Sequence, residues 1–569
     1  MPISVKRKGA WFAGAVAVPV VMVLAALPII ASTRIVRDGI AYQMSAWTGY
    51  RVQLDDGPAV HVWPTFGAVL NEVTLLDWDE TAPSTVLHAE RIEVELSALA
   101  ALRGEVVFTE MLLVRPVLQL AEEQGRLHLP PPQSWGRIAR SVDTARQAVS
   151  AEPKQPDTSL LPSETLGTVS FEDGRVVMPD GEQQADVIEG LTGTFEWPAL
   201  NRQATLSASG VWRGESVSLT ASSTQPLILL GGGNAPLSFS LKAAPAEATF
   251  NGTANLSGAN FIDGQLTAST PSIDQLSEWL HAIALPTSDV GPVEFSARVI
   301  GNAGRLKFEQ ATLDLETSTG TGLLDISFAQ GNPMVAGTLA FDRLDLRSLA
   351  ETFSPFSSGP LAASGPSDAE RLFDFDLRFS AANATFGQAA LTDIAAAAKA
   401  RNGLATFDIS DATAFGGTIQ LSLRADRTGE SHNVELRTVG EEIDAAQLST
   451  MLGQESLVPR APMAFSLSLK GTGADLESVL HNMQGTASVT FGSGSVPGLS
   501  LDAFFQQSAA GDFFPLAAIS EGVLQIEGAE LKATIASGIA QLENAEARTG
   551  QYVVSLAGII PFAGRALAL

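Results

Sequence analysis

The chain has no cysteine among its 569 residues, which removes a disulfide framework, a thiolate zinc site and a cysteine nucleophile together. It is also short of positive charge. With 35 Lys and Arg against 62 Asp and Glu the formal charge is −27, so no nucleic-acid partner is expected, and the body should be repelled by an anionic bilayer face. Acidity of this kind serves solubility. The six histidines (His61, His88, His128, His281, His432 and His481) lie far apart, and none forms an HExxH or another close ligand pair. There is no GxSxG elbow. Gly231-Gly232-Gly233 runs into Asn234-Ala235-Pro236 and a strand pattern rather than a Lys/Ser-bearing helix, which reads as a turn and not a phosphate loop. Glu93 with Glu95, and Asp374 with Asp376, point the same way from strands and superficially resemble a carboxylate pair for glycosidic chemistry. Among 62 acidic residues such pairs arise by chance, and they read as solvated faces. No catalytic residue, metal site or cofactor is expected, and the chain is not expected to be an enzyme.

Long apolar runs are absent too, with one exception. Gly9 to Thr33 carries no charge and is fenced by Lys6, Arg7 and Lys8 before it and Arg34 and Arg37 after it. At about 1.5 Å per residue, the 23 residues from Ala10 to Ser32 make a helix of roughly 34 Å, enough to cross a hydrocarbon core of about 30 Å with some tilt. A cleaved signal peptide fits less well, because its apolar region is usually shorter and Ala31 has Ile29 at its −3 position. The expectation is an uncleaved anchor over residues 9–33, through which the chain meets the inner membrane. The basic cluster before it puts residues 1–8 in the cytoplasm and the body on the other side.

Beyond the anchor the period is two. Arg371 to Ser380 reads RLFDFDLRFS, with Phe373, Phe375, Leu377 and Phe379 on one face and Asp374, Asp376, Arg378 and Ser380 on the other. The same alternation occurs at Leu237, Phe239, Leu241; at Val293, Phe295, Ala297, Val299; at Phe465, Leu467, Leu469; and at Val554, Leu556. Glu172-Asp173-Gly174 and Arg401-Asn402-Gly403 separate such runs and predict hairpin turns. Strand patterns lead into Ile273-Asp274, Leu344-Asp345 and Ile443-Asp444 ahead of short amphipathic runs, where each Asp is placed to cap a helix. The segment from Pro130 to Pro162 opens on three prolines, carries a helical pattern (Trp135, Ile138, Ala139, Val142, Ala145) and ends Pro/Ser/Asp-rich; it is the best boundary, with Phe353 to Pro366 the second. The expected fold is mainly β: a transmembrane helix, then a long twisted, mostly antiparallel sheet curled into a groove, with a few short capping helices.

An ordered set of motifs follows the anchor. It comprises Ala46-Trp47-Thr48-Gly49-Tyr50-Arg51-Val52, Val62-Trp63-Pro64, Leu70-Asn71-Glu72-Val73-Thr74-Leu75, Ala89-Glu90-Arg91-Ile92-Glu93-Val94, Leu102-Arg103-Gly104-Glu105-Val106, Leu113-Val114-Arg115-Pro116-Val117-Leu118-Gln119-Leu120 and Gly125-Arg126-Leu127. Near the other end stand Leu469-Lys470-Gly471-Thr472-Gly473, Met483-Gln484-Gly485-Thr486-Ala487 and Gly494-Ser495-Val496-Pro497-Gly498-Leu499-Ser500-Leu501, then late strands to Leu556-Ala557-Gly558. Together they resemble the AsmA family of bacterial envelope proteins. The resulting division is an AsmA-like β region at 34–129, a Pro-rich linker with a short helix at 130–162, central β-groove modules at 163–460 and a C-terminal AsmA-like region at 461–569.

The resemblance implies a single-pass inner-membrane protein with its bulk in the periplasm, a β-groove and a role in outer-membrane homeostasis, larger relatives resembling bridge-like lipid transfer proteins. The apolar strand faces suit that role independently, since acyl chains laid on them are shielded from water at about 25 cal/mol per Å². The groove candidates are Leu237, Phe239, Leu241, Phe295, Phe373, Phe375, Leu377, Phe379, Phe465, Leu467 and Leu469, with phospholipid as the ligand; the bland alternative is that they fill a closed core. A second reading is a periplasmic scaffold that assists outer-membrane protein assembly through exposed strands, with an outer-membrane or periplasmic protein as partner.

Overall fold

The computed structural model describes residues 34–561 apart from short segments, the longest being 97–107, 281–290 and 348–373. The expected anchor, residues 9–33, lies outside the described residues, as does Phe373. Among the described residues no helix is long and apolar enough to cross a membrane. The fold is mainly β with seven short α-helices among the described residues, and it divides into two compact units. The first takes in residues up to Ser269 with Arg298–Ala303; the second takes in Thr270–Ala297 and the chain from Gly304. The division thus falls near residues 269–304, and the Pro-rich segment 130–162 lies inside the first unit.

That segment has a different task. Strands Phe108–Gln119 and Gly167–Asp180 pair in parallel, Leu113 opposite Phe171, and a parallel neighbour needs a crossover of a dozen residues or more. The crossover contains helix α2 (Arg137–Ala151), which realises the helical pattern read between the prolines. The second candidate boundary also follows a parallel step, Met334–Asp345 beside Asp374–Phe386. The remaining described pairings are antiparallel, most of them between consecutive strands. The N-terminal region is not all strand, because it opens with helix α1 (Arg34–Thr48).

In each unit the sheet is open. The curl into a groove expected from the sequence is not seen, and no described pairing joins the first strand of either unit to its last. The outer strands are blunted instead. Arg51–Leu54 and Ala59–His61 share one neighbour, Gly67–Leu76, in the first unit; Val553–Ser555 and Ile559–Pro561 share Ile539–Arg548 in the second. Short edge strands offer little backbone to an incoming strand.

Local chemistry explains most elements, and it also corrects two expectations. Glu172-Asp173-Gly174 does not turn the chain: it is a bulge within Gly167–Asp180, where Asp173 has φ 52° and the register slips between Phe171 and Gly174. Similar slips at Phe308/Ala311, Thr392/Ala395 and Gly440/Ile443 coincide with positive φ at Gln310, Asp393 and Glu442. Arg401 pairs with Leu404 across the expected hairpin turn. Gly231-Gly232-Gly233 ends helix α3 (Pro226–Gly231), with Gly232 at φ 91° as its left-handed cap.

Asp444 accepts the backbone N–H groups of Ala446 and Gln447 at 2.9 and 3.3 Å, capping Ala445–Met451. Asp345 accepts from Arg347 N–H at 2.9 Å in the same way. Asp274 instead sits in the first turn of Ile273–Leu280, where Ser272 accepts the Gln275 N–H. Asp444→Ala should cost about 1 kcal/mol, and hydrogen exchange should quicken over residues 446–450 while the flanking strands keep their protection. Unchanged exchange there would remove the cap's role.

Candidate functional site

The pairing registers line apolar residues up across strands. In the first unit Leu70, Ile92, Leu113, Phe171, Gly193, Ala208, Leu219, Leu241, Ala248 and Ala268 are successive cross-strand partners. A second row on the same face runs Ala68, Val94, Met111, Val169, Phe195, Leu206, Ala221, Phe239, Phe250 and Leu266. Each row crosses ten strands without a polar side chain. At about 4.8 Å per strand spacing the nine intervals span roughly 43 Å.

The second unit repeats the device over twelve strands. One row is Phe308, Leu324, Gly337, Leu377, Ala398, Phe407, Leu423, Leu436, Leu469, Gly485, Ile535 and Ala540. Its neighbour is Ala311, Gly322, Leu339, Phe379, Ala396, Ile409, Leu421, Thr438, Leu467, Ala487, Ala533 and Leu542, in which Thr438 alone is polar. A third, shorter row carries Val335, Phe375, Ala400, Ala405, Ala425 and Val434.

The lanes contain many glycines and alanines for a steric reason. Phe171 lies directly opposite Gly193, Phe341 opposite Gly320 and Phe465 opposite Gly440. A Cβ on Gly320 would stand 2.5 Å from the Phe341 ring, and one on Gly440 2.2 Å from Phe465. The missing side chain is where the aromatic ring lies.

The opposite faces are polar, and they differ between the units. In the first, Ser170, Thr194, Ser207, Thr220, Ser240, Thr249 and Thr267 form a hydroxyl row, with Thr249 and Thr267 hydrogen-bonded at 2.6 Å. In the second, charges alternate: Asp376 with Lys399 at 3.4 Å, and Glu435 with Lys470 at 2.9 Å. The Lys470 hydrogen bond holds the Glu435 carboxyl below the usual carboxylate range. Of the four carboxylates noted in the sequence, Glu93 binds Arg91 at 3.0 Å and Asp376 binds Lys399. Asp374, expected on a solvated face, is buried, with Arg401 4.0 Å away. Within one strand for Glu93 and across strands for Asp374 and Asp376, these carboxylates face cations. Among the described residues no cluster of three His, Asp or Glu could hold a metal.

Helices cover parts of the lanes. Ile40 and Met44, one turn apart on α1, are buried against Leu70, Ile92, Val94 and Leu113, so the rows of the first unit begin beneath a lid. From Phe171 onward the same rows are only half-buried, Phe250 excepted. Helices α2 and α3 pack over one rim, on Trp197, Ala204, Ala235 and Ala254. In the second unit Ala445–Met451 packs beside Ile443, Met463 and Phe465, and Val479 of Leu476–His481 packs on Ala425 and Val434.

Of the residues singled out from sequence, Leu241 and Phe239 fall in the two long rows of the first unit. Leu237 lies one step further along its strand, opposite Gly252. Leu377, Phe379, Leu467 and Leu469 fall in the two long rows of the second unit, Phe375 in the third, and Phe465 opposite Gly440. Phe295 meets Phe308 edge-on, ring centroids 5.7 Å apart. Phe379 and Leu469 are buried and the other described candidates half-buried, Phe375 and Phe465 packing against buried clusters. Sequence reasoning missed Leu206, Leu219, Leu423 and Leu436, although Ala204–Trp212 and Glu215–Ser223 alternate apolar residues with Ser and Thr clearly enough to have been found.

No family model matches the chain, and no solved structure matches it. It is similar to Protein AsmA of Escherichia coli, 21% identical over 571 residues, which cover 94% of this chain and 83% of that protein. The AsmA-type resemblance read at both ends of the chain is thereby borne out over nearly its whole length.

Proposed function

We propose that this AsmA-like chain is a non-enzymatic envelope protein, held at the inner membrane by residues 9–33, whose apolar lanes accept the acyl chains of phospholipids in the periplasm. The observation that carries this reading is the unbroken register of apolar side chains across ten strands in one unit, half-buried from Phe171 onward, and across twelve in the other, where buried positions such as Phe407 and Ile535 are interspersed with half-buried ones such as Leu377, Leu423 and Leu436. An acyl chain spans half of a hydrocarbon core, about 15 Å, so it would lie across three or four strands. At about 0.8 kcal/mol per buried CH₂, ten methylenes gain roughly 8 kcal/mol before the costs of ordering. A row that never meets a polar side chain lets a chain slide without a desolvation barrier. The open sheet replaces the curled trough as the physical basis: the ligand itself would cover the exposed face. Strand addition is less favoured, since the outer strands at both chain ends are blunted by short partners.

The test is native mass spectrometry of the detergent-extracted full chain. Leu241→Asp places a carboxylate at a half-buried position between Leu219 and Ala248, where it stays hydrated and the strand can keep its pairing. Co-purified phospholipid should fall at least about tenfold, since a buried charge costs more than the ~1.4 kcal/mol that a factor of ten represents. Lipid retained at native levels by a folded variant would remove the lane from the reading.

A further inference from the structure

At the outer side of α1, far in sequence from any lane candidate, three segments converge on an aromatic corner. Trp78 and Trp135 meet edge to face, 5.5 Å between centroids at 75°. Tyr42 and Ala41 from α1, with Ser45 and Val52, complete an open cleft of ≈ 560 Å³. The corner is built, not incidental. Trp78 Nε1 donates to the Gly49 carbonyl at 2.9 Å; Gln133 N–H donates to the same carbonyl at 3.1 Å; Tyr50 Oη donates to the Pro130 carbonyl at 2.6 Å. Asp77 fastens the loop behind Trp78 by accepting from Ser84 N–H at 3.0 Å and Ser84 Oγ at 2.6 Å. Yet the rings so held stay exposed: Trp78 by 39%, Trp135 by 43% and Tyr42 by 70%.

Rigid exposed rings invite a ligand, and the chemistry of the rings says which kind. Asp77 and Asp79 flank Trp78 in the chain, and Asp38 lies one helical turn before Tyr42. The Ser84 hydroxyl holds the Asp77 carboxyl below the usual carboxylate range, so it remains anionic at neutral pH. Exposed indole and phenol rings lining the cleft favour a cation with an apolar shell. A cation already uses an adjoining ring in this way, Arg137 standing 5.0 Å over Trp47.

We propose that this cleft binds the alkylammonium group of a zwitterionic phospholipid headgroup, choline or ethanolamine in type. A lipid, and not a free amine, is the proposed occupant because α1 follows directly in sequence on the apolar segment 9–33, a choice that rests on the anchor of the proposed function. The site stands apart from the lanes: it reads the headgroup, whereas they take acyl chains. The headgroup reading and the lane reading therefore fail separately.

The test uses full-length protein in maltoside micelles titrated with dihexanoyl phosphatidylcholine, dihexanoyl phosphatidylglycerol and choline chloride. One or two ammonium–aromatic contacts should give the choline lipid an advantage of about tenfold over the glycerol lipid. W78A/W135A should bring the ratio to one without lowering the acyl lipid that co-purifies. Y42A, at a position too exposed to matter for folding, should lower the ratio severalfold if the double variant does not fold. Equal affinities in the native chain, or a preference that survives W78A/W135A, would overturn the proposal. Choline binding with no preference between the lipids would make this a site for a soluble amine and would overturn the lipid assignment.

Discussion

Phe250→Ala should destabilise the first unit by about 3–5 kcal/mol, the range for removing a fully buried aromatic ring. Phe250 is 2% exposed, the largest of the fully buried side chains, and stacks on Phe239 with centroids 5.7 Å apart. Its ring also lies over the space that a Cβ of Gly252 or Gly264 would occupy, 2.9 Å away in each case. Neither glycine has a side chain to move into the void, so the cavity stays and its full cost is felt. Urea unfolding of the full chain should show the first unit's transition at a lower midpoint with its slope unchanged, while the second unit's transition stays in place. A shift worth less than about 1 kcal/mol would mean that the rows pack loosely even where they are buried.

The second large effect is expected at Gly485, where replacement by alanine should cost about 3 kcal/mol, the upper end for overpacking. A Cβ there would stand 1.9 Å from the Ser468 carbonyl oxygen and 3.0 Å from Leu469 Cα. Both obstacles are backbone of the adjacent strand, so no rotamer change relieves the clash. Gly485 pairs with Leu469 on one side and Ile535 on the other, in the middle of a lane. Hydrogen exchange should accelerate in Pro462–Gly473 and Gln484–Phe491 together. Acceleration confined to residue 485 itself would show that the strands can part without cost, contrary to the packing described.

Much of the fold is legible in the chain because its signal is local. Alternation of Phe375, Leu377 and Phe379 with Asp374, Asp376 and Arg378 separates the two faces of a strand before any partner is known, and Asp345 and Asp444 announce helix starts through their own first turns. The same logic fails where two local readings compete. Glu172-Asp173-Gly174 has the composition of a turn, but Phe171 and Val176 on either side both find partners in Gln183–Trp197, and the sheet absorbs the extra residues as a bulge. Ser272 rather than Asp274 caps its helix because the chain enters that helix two residues earlier.

By itself, then, the sequence determined the mainly β character and the apolar face of most strands, which depend on residues within a few positions of one another, and the AsmA-type resemblance, which depends on the order of short motifs along the chain. Tertiary structure alone decided the rest. Whether Leu241 meets Leu219, or Leu377 meets Ala398, depends on register between strands, and one residue of slip would send every apolar side chain to the polar face. The parallel steps, the open sheets and the corner built from Tyr42, Trp78 and Trp135 likewise rest on contacts across dozens of residues, whose closure no local pattern encodes.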